Sequence, residues 1–208
     1  MLTILSIIIL IFSVIIHEVS HGLMAERLGD PTARLQGRLT LNPIKHIDPV
    51  GSIIVPIITS LAGFTFGWAK PVPYNPYNLR NKRQGEFLIA LAGPVSNLAI
   101  AIIFGIILRF VIGGVTDAAS MTAMTPYITI LSYIVLINIV LAVFNLIPLP
   151  PLDGSKLFLA FLPNQYGRLR YSLERFGPIF VLIAVFFLWQ AISPLVFIIF
   201  RAITGISF

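Results

Sequence analysis

The chain has 208 residues, of which 57% are hydrophobic and 11% are charged, and it contains no cysteine. This composition, with a mean hydropathy of +0.95, is that of an integral membrane protein, and no stretch is polar enough to form a separate soluble domain. We therefore expect one membrane domain over residues 1–208. Without thiols there are no disulfides and no catalytic cysteine, so a metal ion would have to be bound by histidine and carboxylate side chains.

The net charge of +6 comes from basic residues that lie mainly between the apolar segments. Of the 14 Lys and Arg residues, only Arg109 and Arg201 lie elsewhere, and the others are Arg27, Arg34, Arg38, Lys45, Lys70, Arg80, Lys82, Arg83, Lys156, Arg168, Arg170 and Arg175. Basic residues in the loops of a membrane protein are signals of its topology. We predict a lipid bilayer around the chain and no nucleic-acid partner.

Four apolar segments are long enough to cross the roughly 30 Å hydrocarbon core of a bilayer as helices. They cover residues 2–23, 87–112, 127–147 and 179–200. The first has no basic region before it and no small-residue cleavage site after it, so we interpret it as a retained helix and not as a removed signal peptide.

A fifth apolar segment, residues 51–67, is shorter and has Pro56 in its middle and Gly63 and Gly67 near its end. It is either a thin span or a re-entrant hairpin. The stretch FGWAKPVPYNP follows, and its prolines, Pro71 among them, permit only an edge strand, which could pair with an extended substrate peptide. The alternative is a loop at the lipid interface, anchored by Trp68 and Tyr74. The predicted fold class is an all-α polytopic protein with four to five transmembrane helices and this hairpin.

Two histidines and a glutamate end the first apolar segment in the stretch HEVSH, residues 17–21. His17 and His21 share one face of a helix and can bind one ion, with Glu18 beside them. A bound zinc lowers the pKa of water from about 15.7 towards about 7, and a glutamate can take the released proton as water attacks a carbonyl. Capping of the helix would not offset the cost of three ionisable groups at membrane depth, so we favour a metal site.

A catalytic zinc has three protein ligands, so a carboxylate further along the chain has to complete the site. The carboxylates after His21 are Glu26, Asp30, Asp48, Glu86, Asp117, Asp153 and Glu174. Asp153 stands out because prolines at positions 148, 150 and 151 interrupt the preceding helix, and irregular backbone at that depth has to be surrounded by protein or a polar cavity. From the residues alone, Asp153 is equally well a metal ligand or the N-cap of a helix.

Three stretches in this order, HEVSH, AGPVSN (residues 92–97) and NLIPLPPLDG (residues 145–154), resemble the signatures of the site-2 protease family of intramembrane zinc metalloproteases. The resemblance implies one zinc ion held by His17, His21 and Asp153. It implies that Glu18 activates water, and that Asn97 positions the substrate peptide or stabilises the oxyanion.

The same resemblance implies a membrane-protein or peptide substrate, cleaved in or near its transmembrane segment. Residues expected near that substrate are Gly93, Asn145, Trp68 and Pro71. The sequence contains neither of the PDZ and CBS domains that many relatives carry, so we expect a compact member of the family. Neither the substrate nor the oligomeric state can be identified from these motifs.

Membrane topology gives an independent condition on residues 51–67. Asp153 can share an ion with His17 and His21 only if it lies on their side of the membrane, and a full crossing by residues 51–67 would place it on the other side. A re-entrant hairpin satisfies this condition and also puts the basic loops on one side, which the positive-inside rule identifies as the cytoplasm. We expect both termini outside, a zinc site towards the cytosol, and a prokaryotic plasma membrane.

The stretch NPIKHIDPVG contains the third histidine. His46 and Asp48 could support the metal ligands, add a ligand in an inhibited state, or stabilise a turn between Pro43 and Pro49, and we favour the turn. Asn138 could form a polar contact between helices.

Other functions fit the sequence less well. A metal transporter needs polar groups at several depths, but the segment 127–147 offers little beyond Ser132 and Asn138. An inactive scaffold of the same fold would be expected to lose Glu18. A membrane zincin of the prenyl-protein type needs a downstream helical glutamate as a ligand, and Glu86 and Glu174 lie beside basic loops.

Overall fold

The computed structural model describes residues 2–61, 68–159 and 189–206, and within these ranges the protein is helical with no strand. The α-helices are α1 (Leu2–Arg27), α2 (Thr32–Leu35), α3 (Val55–Leu61), α4 (Lys82–Gly113), α5 (Ala118–Asn145), α6 (Asp153–Leu159) and α7 (Trp189–Thr204). Short 3-10 helices cover Pro43–His46 and Pro76–Asn78, and a π-helix covers Pro49–Ile54. Helices α1, α4 and α5 are long and apolar enough to cross a membrane, so the protein is a multi-pass membrane protein.

The spanning helices extend beyond the apolar segments that predict them. Helix α4 begins at Lys82 because Asn81 caps it, its side chain accepting a hydrogen bond from the Gln84 N–H. Helix α5 begins at Ala118, nine residues before the predicted start, because Asp117 and Ser120 form a capping box. Polar caps set these starts, and hydropathy does not report them. The predicted span 179–200 lies partly outside the described residues, and α7 covers its second half.

Helix α4 is central and packs against α1, α5 and α6. Away from the polar residues, α4, α5 and α7 share a buried apolar cluster, which consists of Ala101, Val135, Ile139, Val196 and Phe200. Small residues on α4 allow this close packing. A Cβ atom at Gly105 would lie 2.2 Å from Cγ2 of Ile203, so the end of α7 lies directly against α4.

The two residues that flank the fifth apolar segment, Gly51 and Trp68, are in direct contact. The Trp68 N–H donates to the Gly51 carbonyl at 3.0 Å, and the Ser52 hydroxyl donates to the Trp68 carbonyl at 2.8 Å. The Trp68 indole covers Gly51 so closely that a Cβ there would lie 2.2 Å from Nε1. Both ends of the segment therefore lie together, as a re-entrant hairpin requires and a full crossing does not allow. Residues 62–67 of the predicted hairpin lie outside the described residues.

Residues 68–75, which we call the strap, return from the hairpin across the end of α1. The Lys70 N–H donates to the His46 carbonyl at 2.9 Å, and the Arg38 guanidinium donates to the carbonyls of Lys70 and Pro71 at 2.8 and 3.2 Å. The strap forms no strand, which corrects the edge-strand alternative. The physical reason is that its N–H groups at 68, 70 and 72 bond within the chain, and the prolines at 71 and 73 have none.

The structure agrees with the turn interpretation of His46 and Asp48. Oδ1 of Asp48 accepts from the N–H groups of Val50 and Gly51 at 3.0 and 2.7 Å, which caps the π-helix. The imidazole of His46 is buried, with Nε2 2.8 Å from the Thr40 carbonyl. Among the described residues, neither belongs to a group that could hold a metal ion.

Candidate metal centre

Helix α1 brings the two histidines of HEVSH to one buried face. His17 and His21 are 5% and 7% exposed, and their ring centroids lie 4.7 Å apart. Both Nε2 atoms point at the same carboxylate oxygen, Oδ2 of Asp153, at 2.9 and 3.0 Å. These three residues are the one group of potential metal ligands among the described residues, with ligand atoms within 4.8 Å of one another.

The proline-rich loop after α5 delivers Asp153 to this position. Helix α5 ends at Asn145, before the prolines, and Asp153 is the first residue of α6. The loop is tight at Gly154, where a Cβ would lie 2.3 Å from the Leu146 carbonyl oxygen. The Oδ1 atom of Asp153 accepts from the Lys156 ammonium at 3.2 Å. Both oxygens therefore have partners, and the contact of Oδ2 with the imidazoles favours the ligand alternative over the helix cap.

The outer nitrogens of both imidazoles are also bonded. Nδ1 of His21 lies 2.6 Å from the Ile89 carbonyl, which can only accept, so Nδ1 carries a proton and, in the neutral ring, Nε2 keeps the lone pair that a metal ion needs. Nδ1 of His17 lies 2.6 Å from Oδ1 of Asn97. Such outer bonds orient histidine ligands and set their tautomers. Two oriented imidazoles and a buried carboxylate fit zinc, and three protein ligands leave a fourth position for water.

Gly93 lies against the imidazoles. A Cβ atom at this position would be 2.5 Å from Nε2 of His17 and 2.6 Å from Cε1 of His21. Only glycine therefore lets α4 approach the ligand edges of both rings. The structure places Gly93, expected near the substrate, directly against the two histidines of the candidate metal centre.

Glu18 follows His17 and is oriented by the strap. Its Oε2 accepts from the Val72 N–H at 2.8 Å, and Val72 is itself 6% exposed. The strap packs on α1 here, since a Cβ at Gly22 would lie 2.7 Å from Cγ1 of Val72. The carboxylate expected to act as a base thus has one oxygen held by backbone.

The other residues expected near the substrate lie at different distances from the ligands. Pro71 is in the strap, next to the Val72 contact with Glu18, and Trp68 is 45% exposed at the neck of the hairpin. Asn145 donates to the Leu141 carbonyl of its own helix at 2.9 Å. Asn97 is fully buried behind His17.

Asp30, a residue whose role the sequence did not predict, fixes the far end of the strap. Asp30 is fully buried and accepts from the N–H and hydroxyl of Thr32, the Asn75 N–H and the Asn78 amide. Burial alone would raise the pKa of its carboxyl, but these hydrogen bonds, led by that from the Thr32 side chain, lower the pKa below the usual value. The pattern Asp-Pro-Thr at the start of α2 was the available signal, because an aspartate side chain commonly accepts from the backbone N–H two residues further on.

Comparison with known proteins agrees with this site. The profile of peptidase family M50 matches residues 5–191. A Bacillus subtilis protein named "Putative zinc metalloprotease YwhC" is 40% identical over 85% of this chain and 78% of its own length. "Putative zinc metalloprotease Rip2" of Mycolicibacterium smegmatis is 28% identical over 88% of this chain and 66% of its length.

A more distant relative comes from an archaeon. "Zinc metalloprotease MJ0392" of Methanocaldococcus jannaschii is 26% identical over 78% of this chain and 36% of its own length. No solved structure matches at a significant level. The cofactor implied by the family and by these names is zinc, which the His17, His21 and Asp153 group fits. The chain belongs to peptidase family M50, the site-2 protease family that its motifs resemble.

Proposed function

We propose that this protein is an intramembrane zinc endopeptidase that hydrolyses peptide bonds in or near the transmembrane segments of membrane proteins, as in regulated intramembrane proteolysis. The observation that carries this proposal is that the imidazoles of His17 and His21 converge on the Asp153 carboxylate inside a multi-pass helical protein. Glu18 is next to His17 in the chain. Family membership supports the peptidase activity, and the depth of the site in α1 supports a substrate within the membrane.

The proposed zinc ligands are Nε2 of His17, Nε2 of His21 and a carboxylate oxygen of Asp153. Zinc bound there would polarise the scissile carbonyl and lower the pKa of water. The protein's own part is to keep these donors deprotonated, buried and oriented. The bonds to Ile89 and Asn97 and the close approach of Gly93 serve this purpose.

Glu18 is the proposed general base. It takes a proton from the attacking water as the new carbon–oxygen bond forms, and it returns that proton to the leaving amine as the carbon–nitrogen bond breaks. The Val72 N–H holds one carboxylate oxygen and thereby limits the orientations of the other. A glutamate held in this way needs less reorganisation before proton transfer.

The strap is the proposed edge of the substrate cleft, with Pro71 and Trp68 beside the peptide. A helical substrate has to unwind locally, since its peptide carbonyls are otherwise bonded within the helix. Asn145 and Gly93 remain proposed substrate contacts. For Asn97 the observed bond supports a role through His17, and contact with substrate would require its buried amide to leave this position.

We propose that the site faces the cytosol of a prokaryotic cell. The re-entrant hairpin leaves the basic loops on the side of the metal centre, whereas the turn between α4 and α5 carries Asp117 and no basic residue. Because the chain lacks cysteine, single cysteines at Arg34 and Arg80 can be labelled without background. Both should react only from the cytosolic face, and reaction from opposite faces would contradict this topology.

The test of the proposed activity compares the purified protein with its Glu18→Gln variant on a panel of single-span substrates in proteoliposomes. The parent should cut at least one substrate within or beside its span, and the variant should lose this activity while keeping zinc, because glutamine cannot take a proton. Equal cleavage by both would overturn the mechanism. Zinc binding without cleavage of any membrane or soluble peptide would support an inactive scaffold or a transporter instead.

A further inference from the structure

Three buried polar side chains extend from His17 into the helix bundle. Oδ1 of Asn97 on α4 faces Nδ1 of His17 at 2.6 Å, and Nδ2 of Asn97 donates to Oδ1 of Asn138 on α5 at 2.8 Å. Nδ2 of Asn138 donates in turn to the Ser13 hydroxyl on α1 at 2.9 Å. Both asparagines are fully buried and Ser13 is 4% exposed. The three long helices that surround the site are thus joined by one chain of hydrogen bonds.

Two backbone carbonyls set the direction of this chain. Nδ2 of Asn138 lies 2.8 Å from the Ile134 carbonyl, and because a carbonyl only accepts, the amide must present its NH₂ group there and its oxygen to Asn97. Nδ2 of Asn97 likewise lies 3.3 Å from the Ser13 carbonyl. Each amide therefore has one orientation that satisfies all its partners.

That orientation determines the tautomer of His17. Asn97 presents its oxygen to Nδ1 of His17, so the imidazole donates from Nδ1 and keeps the lone pair on Nε2, the atom that faces Asp153. If the Asn97 amide turned over, its NH₂ group would face Nδ1 and favour the tautomer with the proton on Nε2. A proton on Nε2 excludes metal binding by that atom.

We propose that Asn138 is a positioning residue for the metal centre: through Asn97 it fixes the tautomer and ring orientation of His17. The proposal rests on the metal centre proposed above. In a general packing role, Asn138 would only hold α5 against α1 and α4. Packing alone would not determine which side of the Asn97 amide, oxygen or NH₂ group, faces His17. Loss of Asn138 removes the closer of the two acceptors that fix the orientation of the Asn97 NH₂ group and leaves only the 3.3 Å contact with the Ser13 carbonyl.

The test measures zinc affinity by competition with a chelator, the absorption spectrum of the Co²⁺-loaded protein, and melting temperature. Asn138→Leu should weaken zinc binding by about 10-fold, the lower end of the usual cost of losing a direct outer partner of a metal ligand, because Asn138 acts one residue further out, and should alter the Co²⁺ bands. Asn138→Ser, which keeps a hydroxyl too short to reach Asn97, should show the same loss if the leucine variant folds poorly. Thr204→Val removes a buried hydroxyl on α7 and should leave zinc affinity unchanged.

A second background separates positioning from packing. Aspartate at position 97 offers Nδ1 of His17 an acceptor in either orientation, although it loses the donation to the Ser13 carbonyl, so the matched comparison is Asn97→Asp with and without Asn138→Leu. In this background Asn138→Leu should no longer weaken zinc binding. Weaker zinc binding by the double variant than by Asn97→Asp alone, or zinc affinity in Asn138→Leu and Asn138→Ser equal to that of the parent, would overturn the proposal. A parent protein that binds no zinc would instead overturn the metal centre itself.

Discussion

The two ends of the helix bundle are held together by different interactions. Around the metal centre, buried contacts between α1, α4 and α5 are hydrogen bonds with fixed directions, such as those of Asn97 and Asn138. Where α4 and α5 face α7, a region that we call the apolar end, the buried contacts are apolar, with Ala101 of α4 packed among residues of α5 and α7. Apolar packing brings the helices together without specifying the orientation of any one side chain. The polar end adds the orientation that a metal ligand needs.

Of the changes considered, substitution of Gly93 on α4 should have the largest effect on the polar end. Gly93→Ala would place a methyl group 2.5 Å from Nε2 of His17, so we expect the imidazoles to be displaced. Zinc affinity should fall by more than about 100-fold, beyond the usual effect of an outer partner. The measurement is chelator competition on the purified variant, and retention of full zinc affinity would show that α4 does not constrain the ligands.

The matched change at the apolar end is Gly105→Ala. Its new methyl group would meet Ile203, and overpacking typically costs about 1–3 kcal/mol, partly offset by about 1 kcal/mol because alanine favours a helix more than glycine does. We expect a modestly lower melting temperature in detergent and unchanged zinc affinity. A loss of zinc comparable to that of Gly93→Ala would mean that the two ends are not independent.

Asp30, which binds the far end of the strap, gives a pH-dependent effect on stability. The four donors around Asp30 favour its charged form, so its folded-state pKa is lowered from the usual 3.8. The resulting stability is present above that usual value and is lost as the pH falls through the lowered pKa.

Asp30→Asn would place an NH₂ group among donors, and we expect a loss of about 1–3 kcal/mol at neutral pH. The difference from the parent should shrink as the pH falls below 3.8, measured by thermal unfolding across pH. A difference that stays constant down to the lowest pH would contradict the assigned role of Asp30.

Much of this architecture was predictable from the sequence, because hydropathy identifies spans and the i, i+4 spacing of His17 and His21 places both on one helix face. The re-entrant segment also followed from the requirement that Asp153 return to the histidines. The starts of α4 and α5 were not predicted, since they depend on polar caps such as Asn81 and Asp117.

Partners of buried amides were harder to predict. Asn97 and Asn138 are 41 positions apart, and a single sequence does not report which polar residues of two apolar helices face each other. The conformation of the strap was equally hard to predict. Its prolines are compatible with an edge strand, and only its hydrogen bonds to His46, Arg38 and Glu18, which are distant in sequence, determine its conformation.

The central claim is that His17, His21 and Asp153 hold one zinc ion and that Glu18 does not. It is tested most directly by the zinc content per chain of two variants that make the same chemical change, carboxylate to amide, at neighbouring carboxylates: Asp153→Asn and Glu18→Gln. We predict close to one zinc per chain in Glu18→Gln and far less in Asp153→Asn, because an amide oxygen is a weaker zinc ligand than a carboxylate. Full zinc in Asp153→Asn, or loss of zinc in Glu18→Gln alone, would contradict the assignment.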